Sequence, residues 1–227
     1  MEKTTVHHPT DVPEGPWKML LDLSFKLIDS LQEHSGVSEP FWTLGGGTVL
    51  MFRYQHRKSK DIDIFFPDPQ YLGYVNPRLS DLAAEVSKDY VETAGYVKLV
   101  RPEGEIDFVA SRNLTSNPFE WWHLNGRDLR VETAAEIVAK KLWHRGYAAT
   151  ARDLFDLSLV IEKNPDSLLT AAQYLTRYKD NFIGQLYERE IILKEQFEAI
   201  DVLDYHPSYE RSRKLSEEFL LSITKNA

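Results

Sequence analysis

The sequence predicts an α+β protein: a sheet-forming amino-terminal part followed by an all-helical carboxy-terminal part. Three observations carry that expectation. Residues 61–66, 96–101 and 105–110 are short apolar runs bounded by proline and glycine turns, the signature of strands. From Glu132 onward almost every stretch repeats apolar residues at helical spacing. Between them, residues 112–130 read as a mixed connector containing Trp121 and Trp122. The expected division is therefore 1–125 for the α/β domain and 126–227 for the helical one.

The elements follow in order. After a polar lead-in ended by Pro13 and Pro16, residues 17–34 read as a helix, with Trp17, Leu20, Leu21, Leu27, Ile28 and Leu31 on one face. Phe41, Trp42 and Leu44 make a short strand that runs into Gly45, Gly46 and Gly47. A helix is expected from Thr48 to about Tyr54, then a basic turn, His56-Arg57-Lys58-Ser59-Lys60. A strand at 61–66 stops at Pro67 and Pro69, and residues 78–94 look helical. Residues 96–101 and 105–110 form a hairpin about Pro102-Glu103-Gly104. The later helices are expected at 132–146, 148–163, 167–183, 184–202 and 208–223.

Composition narrows the function. At 227 residues the chain can bury a real core, and a net charge of −8 argues against a generic polyanion binder, so a nucleic-acid partner needs local basic patches. Without cysteine there is no disulfide, zinc–thiolate site or thiol nucleophile. This fits a reducing cytoplasm, the expected location. The amino terminus lacks a signal-peptide pattern, and no apolar run is long enough to span a membrane. His7 and His8 read as part of a solvated tail.

Side chains on a strand alternate between faces, so Asp61 and Asp63 point the same way while Ile62 and Ile64 point toward a core. Two like charges on a half-buried face repel and lose hydration. A magnesium ion offsets that cost, because it takes one or two carboxylates together with phosphate oxygens and water. Asp107, between Ile106 and Phe108, repeats the pattern. If its strand lies beside 61–66, the three acids form a two-metal phosphoryl-transfer set. Glu105 shares the face of Asp107 and competes with it. Gly46, Gly47 and the Thr48 hydroxyl are the expected phosphate cradle at a helix start, with Arg57, Ser59 and Lys60 nearby.

The order of strand, Gly-Gly-Gly-Thr, helix, Asp-x-Asp strand and apolar-Asp-apolar strand resembles the nucleotidyltransferase superfold shared with DNA polymerase β. "GGGTVL…HRKSKDIDIFF" is more closely similar to the nucleotidyltransferase AbiEii/AbiGii toxin family. That family's Lys-Leu and Arg-Asp-Leu-Phe-Asp-Leu segments match Lys141-Leu142 and Arg152–Leu157. The resemblance covers roughly residues 40–160 and implies a polymerase β-like core with a mixed sheet flanked by helices. It further implies that Lys141 and Asp153 contribute to activity, with Asp156 a less certain third.

The helical periodicity of 132–146 selects the same lysine. Lys141 and Arg145 fall on the apolar face of Ala134, Ala135, Ile137, Val138 and Leu142, while Lys140 falls away with Glu136 and Trp143. A cation on a packing face needs an anionic partner. Arg152, Asp153 and Asp156 share one side of the next helix, either as an ion-pair network fastening the two halves or as part of the site.

The expected activity is magnesium- or manganese-dependent transfer of a nucleoside monophosphate from an NTP to an acceptor, with release of pyrophosphate. Lys141 would neutralise triphosphate charge. The resemblance implies a toxin of a toxin–antitoxin or phage-defence system, a cognate antitoxin, and RNA, specifically the tRNA acceptor end, as the acceptor. His56, Arg57, Lys58, Lys60, Lys140, Lys141, Arg145 and Arg152 are the candidate RNA-facing cations, with Arg211, Arg213 and Lys214 as a distal patch. Trp121 and Trp122 read as packing residues or as stacking platforms for a base. The alternatives are nucleotidylation of a small molecule or a protein, and a non-enzymatic nucleotide-binding module.

Overall fold

The computed structural model describes residues 5–223. Residues 1–4 of the polar lead-in and residues 224–227 lie outside the described part. The contacts group the described residues in two compact units. The sheet unit takes those within Met1–Phe52, Ser59–Asn113 and Phe119–Glu132, and the helical unit those within Arg53–Lys58, Leu114–Pro118 and Thr133–Ala227.

In the sheet unit, β1 (Val6–His7) precedes α1 (Trp17–Ser35), then β2 (Thr43–Gly45) and α2 (Gly46–Tyr54), whose last residues pass into the helical unit. β3 (Ile62–Phe66), a 3-10 helix (Pro69–Val75), α3 (Asp81–Val86), β4 (Asp89–Glu92), β5 (Tyr96–Arg101), β6 (Gly104–Ala110), β7 (Phe119–Leu124) and β8 (Arg127–Glu132) follow. The eight strands form one mixed sheet in the order β1-β7-β8-β2-β3-β6-β5-β4. β3 runs parallel to β6, while β2 is antiparallel to β3 and parallel to β8.

The apolar face of α1 supplies Trp17, Leu20, Leu21, Leu27 and Leu31, all buried. It packs on the 3-10 helix and on β3 and β6. Alternation does the rest: Ile62, Ile64, Phe66, Ile106 and Phe108 are fully buried on one side, while Asp63 and Asp107 face the other. Phe66 and Phe108 stack at 5.8 Å in this layer.

Three segments of the sheet unit differ from expectation. Val6–His7, in the lead-in read as a solvated tail, pair with Trp121 and Trp122 as the edge strand β1. Residues 78–94 hold only the six-residue α3, capped by the Ser80 side chain, and then the edge strand β4. Residues 112–130, read as a connector, contain the hairpin β7–β8. Asn125 and Gly126 both adopt positive φ at its turn, the geometry an Asn-Gly pair supplies at least cost. The sheet therefore continues to Glu132, beyond the expected division at 125/126.

In the helical unit, α4 (Ala134–Arg145) is followed by a 3-10 turn (Gly146–Ala148), α5 (Ala151–Lys163), α6 (Pro165–Leu169), α7 (Ala172–Leu175), α8 (Lys179–Glu188), α9 (Glu190–Glu198) and α10 (Tyr209–Ser222). The single helices expected at 167–183 and 184–202 are thus broken into shorter pieces. α5 is buried along nearly its whole length and packs against α4, α9 and α10. Thr133 and Thr150 cap α4 and α5 through their side chains.

Candidate active site

β2 ends where α2 begins, so the glycine turn is the junction between them. Gly46 has φ +76°, and a Cβ there would lie 1.8 Å from Asp63 Oδ2. A Cβ at Gly45 would lie 2.3 Å from Glu132 Oε2. Two side chains at 45 and 46 are therefore excluded by the carboxylates packed against this backbone.

Gly45 pairs with Asp63 on β3, Asp63 with Asp107 on β6, and Asp107 with Lys98 on β5. Paired residues share a face, so Asp63 and Asp107 stand side by side on neighbouring strands. Burial, then the charge of Asp63, pushes the Asp107 carboxyl up to about 7. Its Oδ1 is buried and meets no hydrogen-bond donor. Such a repelling pair with an oxygen left unmet fits a hard divalent cation, which takes carboxylate, phosphate and water oxygens.

The expected cluster of three acids reduces to this pair. Asp61 lies one residue before β3, and its Oδ1 accepts a hydrogen bond from the Glu105 backbone N–H at 3.0 Å. Among the described residues no group of three or more His, Asp or Glu side chains is spaced to hold a metal ion. Glu105, the competing acid, is taken by Lys98, which also lies 3.1 Å from Asp107 Oδ2. Burial works against the Lys98 ammonium, but the hydrogen bond it donates to Glu105 and the charge of Asp107 outweigh it and raise its pKa. Lys98 was not singled out in the sequence. The expected three-residue turn Pro102-Glu103-Gly104 would set it opposite Phe108; in the structure Arg101 pairs with Gly104, and this shift of one residue places Lys98 opposite Asp107.

Thr48 and Ser59 differ from their expected part in the phosphate cradle. The fully buried Thr48 hydroxyl donates to the Asp61 carbonyl at 2.6 Å and lies 2.9 Å from the Ser59 hydroxyl. With its one proton committed, Thr48 ties the start of β3 to α2, and Ser59 supports it. Gly47 is partly exposed in the first turn of α2, and Lys60 is exposed.

The helical unit holds the second constellation. Asp156 is fully buried and accepts from His56 Nε2 at 2.9 Å, from Arg57 Nε and Nη2 at 2.8 Å each, and from Lys141 at 2.8 Å. Asp153 accepts from Lys141 at 3.1 Å, Arg145 at 2.6 Å and the Thr150 hydroxyl at 2.8 Å. Burial alone would raise the Asp156 carboxyl. The charges of Arg57 and Lys141 and the bonds from His56 and Arg57 hold it well below the usual range. Burial dominates at His56 and lowers its pKa, so the ring is neutral at pH 7.

This overturns the reading of His56 and Arg57 as RNA-facing cations of a basic turn. Arg57 is 3% exposed, and its fork is spent on Asp156. The Lys140 assignment also fails. It is buried beside the equally buried Glu136 at 3.4 Å, because α4 is enclosed on nearly all sides and not on one face. Glu136 in turn accepts from the Leu114 and Thr115 backbones. Arg152 is exposed and outside the network of Asp153 and Asp156.

A mixed sheet carrying paired aspartates beside a glycine turn at a helix start is the framework of a nucleotidyltransferase. The profile of the family described as nucleotidyl transferase AbiEii toxin, type IV TA system, matches residues 31–219, and the chain belongs to that family. It is a nucleotidyltransferase of the toxin class of type IV toxin–antitoxin systems. The chain shares its fold with MenT4, a nucleotidyltransferase toxin from Mycobacterium tuberculosis H37Rv. That structure is 18% identical, with 92% of this chain and 85% of that chain covered and a TM-score of 0.51. A putative nucleotidyltransferase from H. pylori is also similar, at 16% identity, with 90% and 94% covered and a TM-score of 0.48. No curated protein matches the chain. No helix among the described residues is long and apolar enough to cross a membrane.

Proposed function

We propose that the protein transfers a nucleoside monophosphate from an NTP to an RNA end, in a divalent-cation-dependent reaction centred on Asp63 and Asp107. The observation that carries this reading is the half-buried aspartate pair, with the buried and unmet Asp107 Oδ1 and with Asp63 packed against Gly46. In the reaction an acceptor hydroxyl oxygen attacks the α-phosphorus. The bond to the β-phosphate breaks, pyrophosphate leaves, and the hydroxyl proton is released.

Magnesium or manganese would be held by Asp63 and Asp107, and when bound would neutralise phosphate charge and favour the hydroxyl's ionisation. Gly46 and Gly47 offer backbone N–H groups at the start of α2. Asp61 holds the start of β3 against β6 through the Glu105 N–H, so its part is to place Asp63. Lys141 is the proposed cation for the triphosphate. Its ammonium spends two donors on Asp153 and Asp156 and keeps a third. Counting Lys141, Arg57 and Arg145 against Asp153 and Asp156 leaves this cluster one positive charge, with His56 neutral. Arg57 thus acts through Asp156 and does not meet phosphate itself.

RNA is proposed as the acceptor, with the tRNA acceptor end as its specific form, on the strength of family membership. Lys58, Lys60, Arg145 and Arg152 are exposed and are the cations proposed to face an RNA backbone, Lys58 while paired with Asp201 and Arg145 while bonded to Asp153. The distal patch contributes less, since Arg211, Arg213 and Lys214 pair with Glu162, Glu190 and Glu218. Trp122 is buried, and Trp121 lies 4.8 Å from the Arg130 guanidinium, which supports packing for both. A cognate antitoxin and action in the cytoplasm, where NTP and tRNA occur together, complete the proposal. The test of the chemistry is Asp63→Asn and Asp107→Asn: each is expected to abolish transfer from labelled NTP while remaining folded.

A further inference from the structure

Asp107 and Glu105 lie two residues apart on the same face of β6, and nothing in their sequence says which should hold a cation. Lys98 distinguishes them. Its ammonium bonds Glu105 and also sits 3.1 Å from Asp107 Oδ2, while Asp107 Oδ1 stays buried without a donor. Lys98 stands directly opposite Asp107 across β5–β6, with Glu105 on the diagonal, so one side chain reaches both. The Glu105 backbone N–H is meanwhile engaged by Asp61.

We propose that Lys98 is a positioning residue that makes Asp107 the cation ligand and keeps Glu105 out of the site. It occupies Asp107 Oδ2, leaves Oδ1 as that carboxylate's oxygen without a donor, and sequesters the Glu105 carboxylate. The inference rests on the reading of Asp63 and Asp107 as the cation site. Removing Lys98 opens Asp107 Oδ2 and Glu105 as extra ligands and deletes a competing positive charge. Cation binding then tightens while the geometry that supports turnover is lost, two effects of opposite sign that a purely structural salt bridge does not produce.

The test uses the full chain with Mn2+ alone, titrated by calorimetry or by electron paramagnetic resonance, beside steady-state transfer kinetics. In Lys98→Met, Mn2+ binding is expected to tighten about tenfold, the size expected of removing one unit charge near a partly solvated cation. Its kcat is expected to fall at least tenfold at saturating cation and NTP. Adding Glu105→Gln to Lys98→Met is expected to reverse most of the gain in Mn2+ affinity, and Lys98→Arg to stay near wild type in both readouts. Unchanged or weakened Mn2+ binding in Lys98→Met overturns the proposal. So does a raised KM for NTP at unchanged kcat, which would make Lys98 a triphosphate ligand. Failure of the underlying reading has a separate signature: Asp63→Asn would bind Mn2+ as tightly as wild type.

Discussion

At Gly46 the backbone and the proposed chemistry meet in one residue. Its positive φ and the 1.8 Å approach to Asp63 Oδ2 leave no room for a methyl group. Gly46→Ala is expected to displace Asp63 and to cost transfer activity far more than the roughly 1 kcal/mol of stability that a left-handed alanine loses. Thermal melting beside a transfer assay separates the two effects. Asp107 adds a pH signature. Its folded pKa of about 7 lies above the ordinary 3.8, so the folded state retains a proton that the unfolded state has released. In the absence of divalent cation, this group's contribution to stability should therefore fall as pH rises from about 4 to about 7, then level off. The slope is at most about 1.4 kcal/mol per pH unit. Cation binding must displace that proton, so Mn2+ affinity should rise with pH through the same window. Chemical denaturation at a series of pH values and Mn2+ titration check the two signs.

At the scale of elements, the segment 53–58 and α5 form a buried ionic joint inside the helical unit. Breaking one partner of a buried pair leaves the other uncompensated. Arg57→Met is expected to lower stability by about 3–5 kcal/mol, read by denaturant unfolding. The conservative Arg57→Lys should restore only part of it, since an ammonium cannot replace the two-pronged bond to Asp156. Why some elements were legible in sequence follows from the same physics. α1, β3 and the β5–β6 hairpin have one buried and one open face, so their periodicity is written in the residues. The periodicity of α4 singled out Lys141 correctly as inward, but α4 and α5 are enclosed on nearly all sides, so Lys140 is buried as well. The hairpin β7–β8 carried a readable mark in Asn125-Gly126, overlooked beneath its many charged and aromatic residues. β4 is an edge strand with little burial, and nothing in its pattern separates it from the helix before it.

For the whole molecule, the acid-x-acid strand and the glycine turn were visible as chemistry before any fold. Asp107 was visible as a partner only on the condition that its strand lay beside 61–66, because the pairing of β3 with β6 and the commitment of Arg57 to Asp156 span some forty and one hundred residues. Two expected cations thereby became scaffolding, and Lys98, ordinary in sequence, entered the site through strand register. The central claim is that Asp63 and Asp107 support nucleotide transfer to RNA. It is tested most directly by incubating the protein with each labelled NTP, Mg2+ and total RNA, beside Asp63→Asn. The account predicts label from at least one NTP in an RNA species, with release of pyrophosphate, and none with the variant. Equal labelling by wild type and Asp63→Asn, or label entering only protein or small molecules, would contradict it.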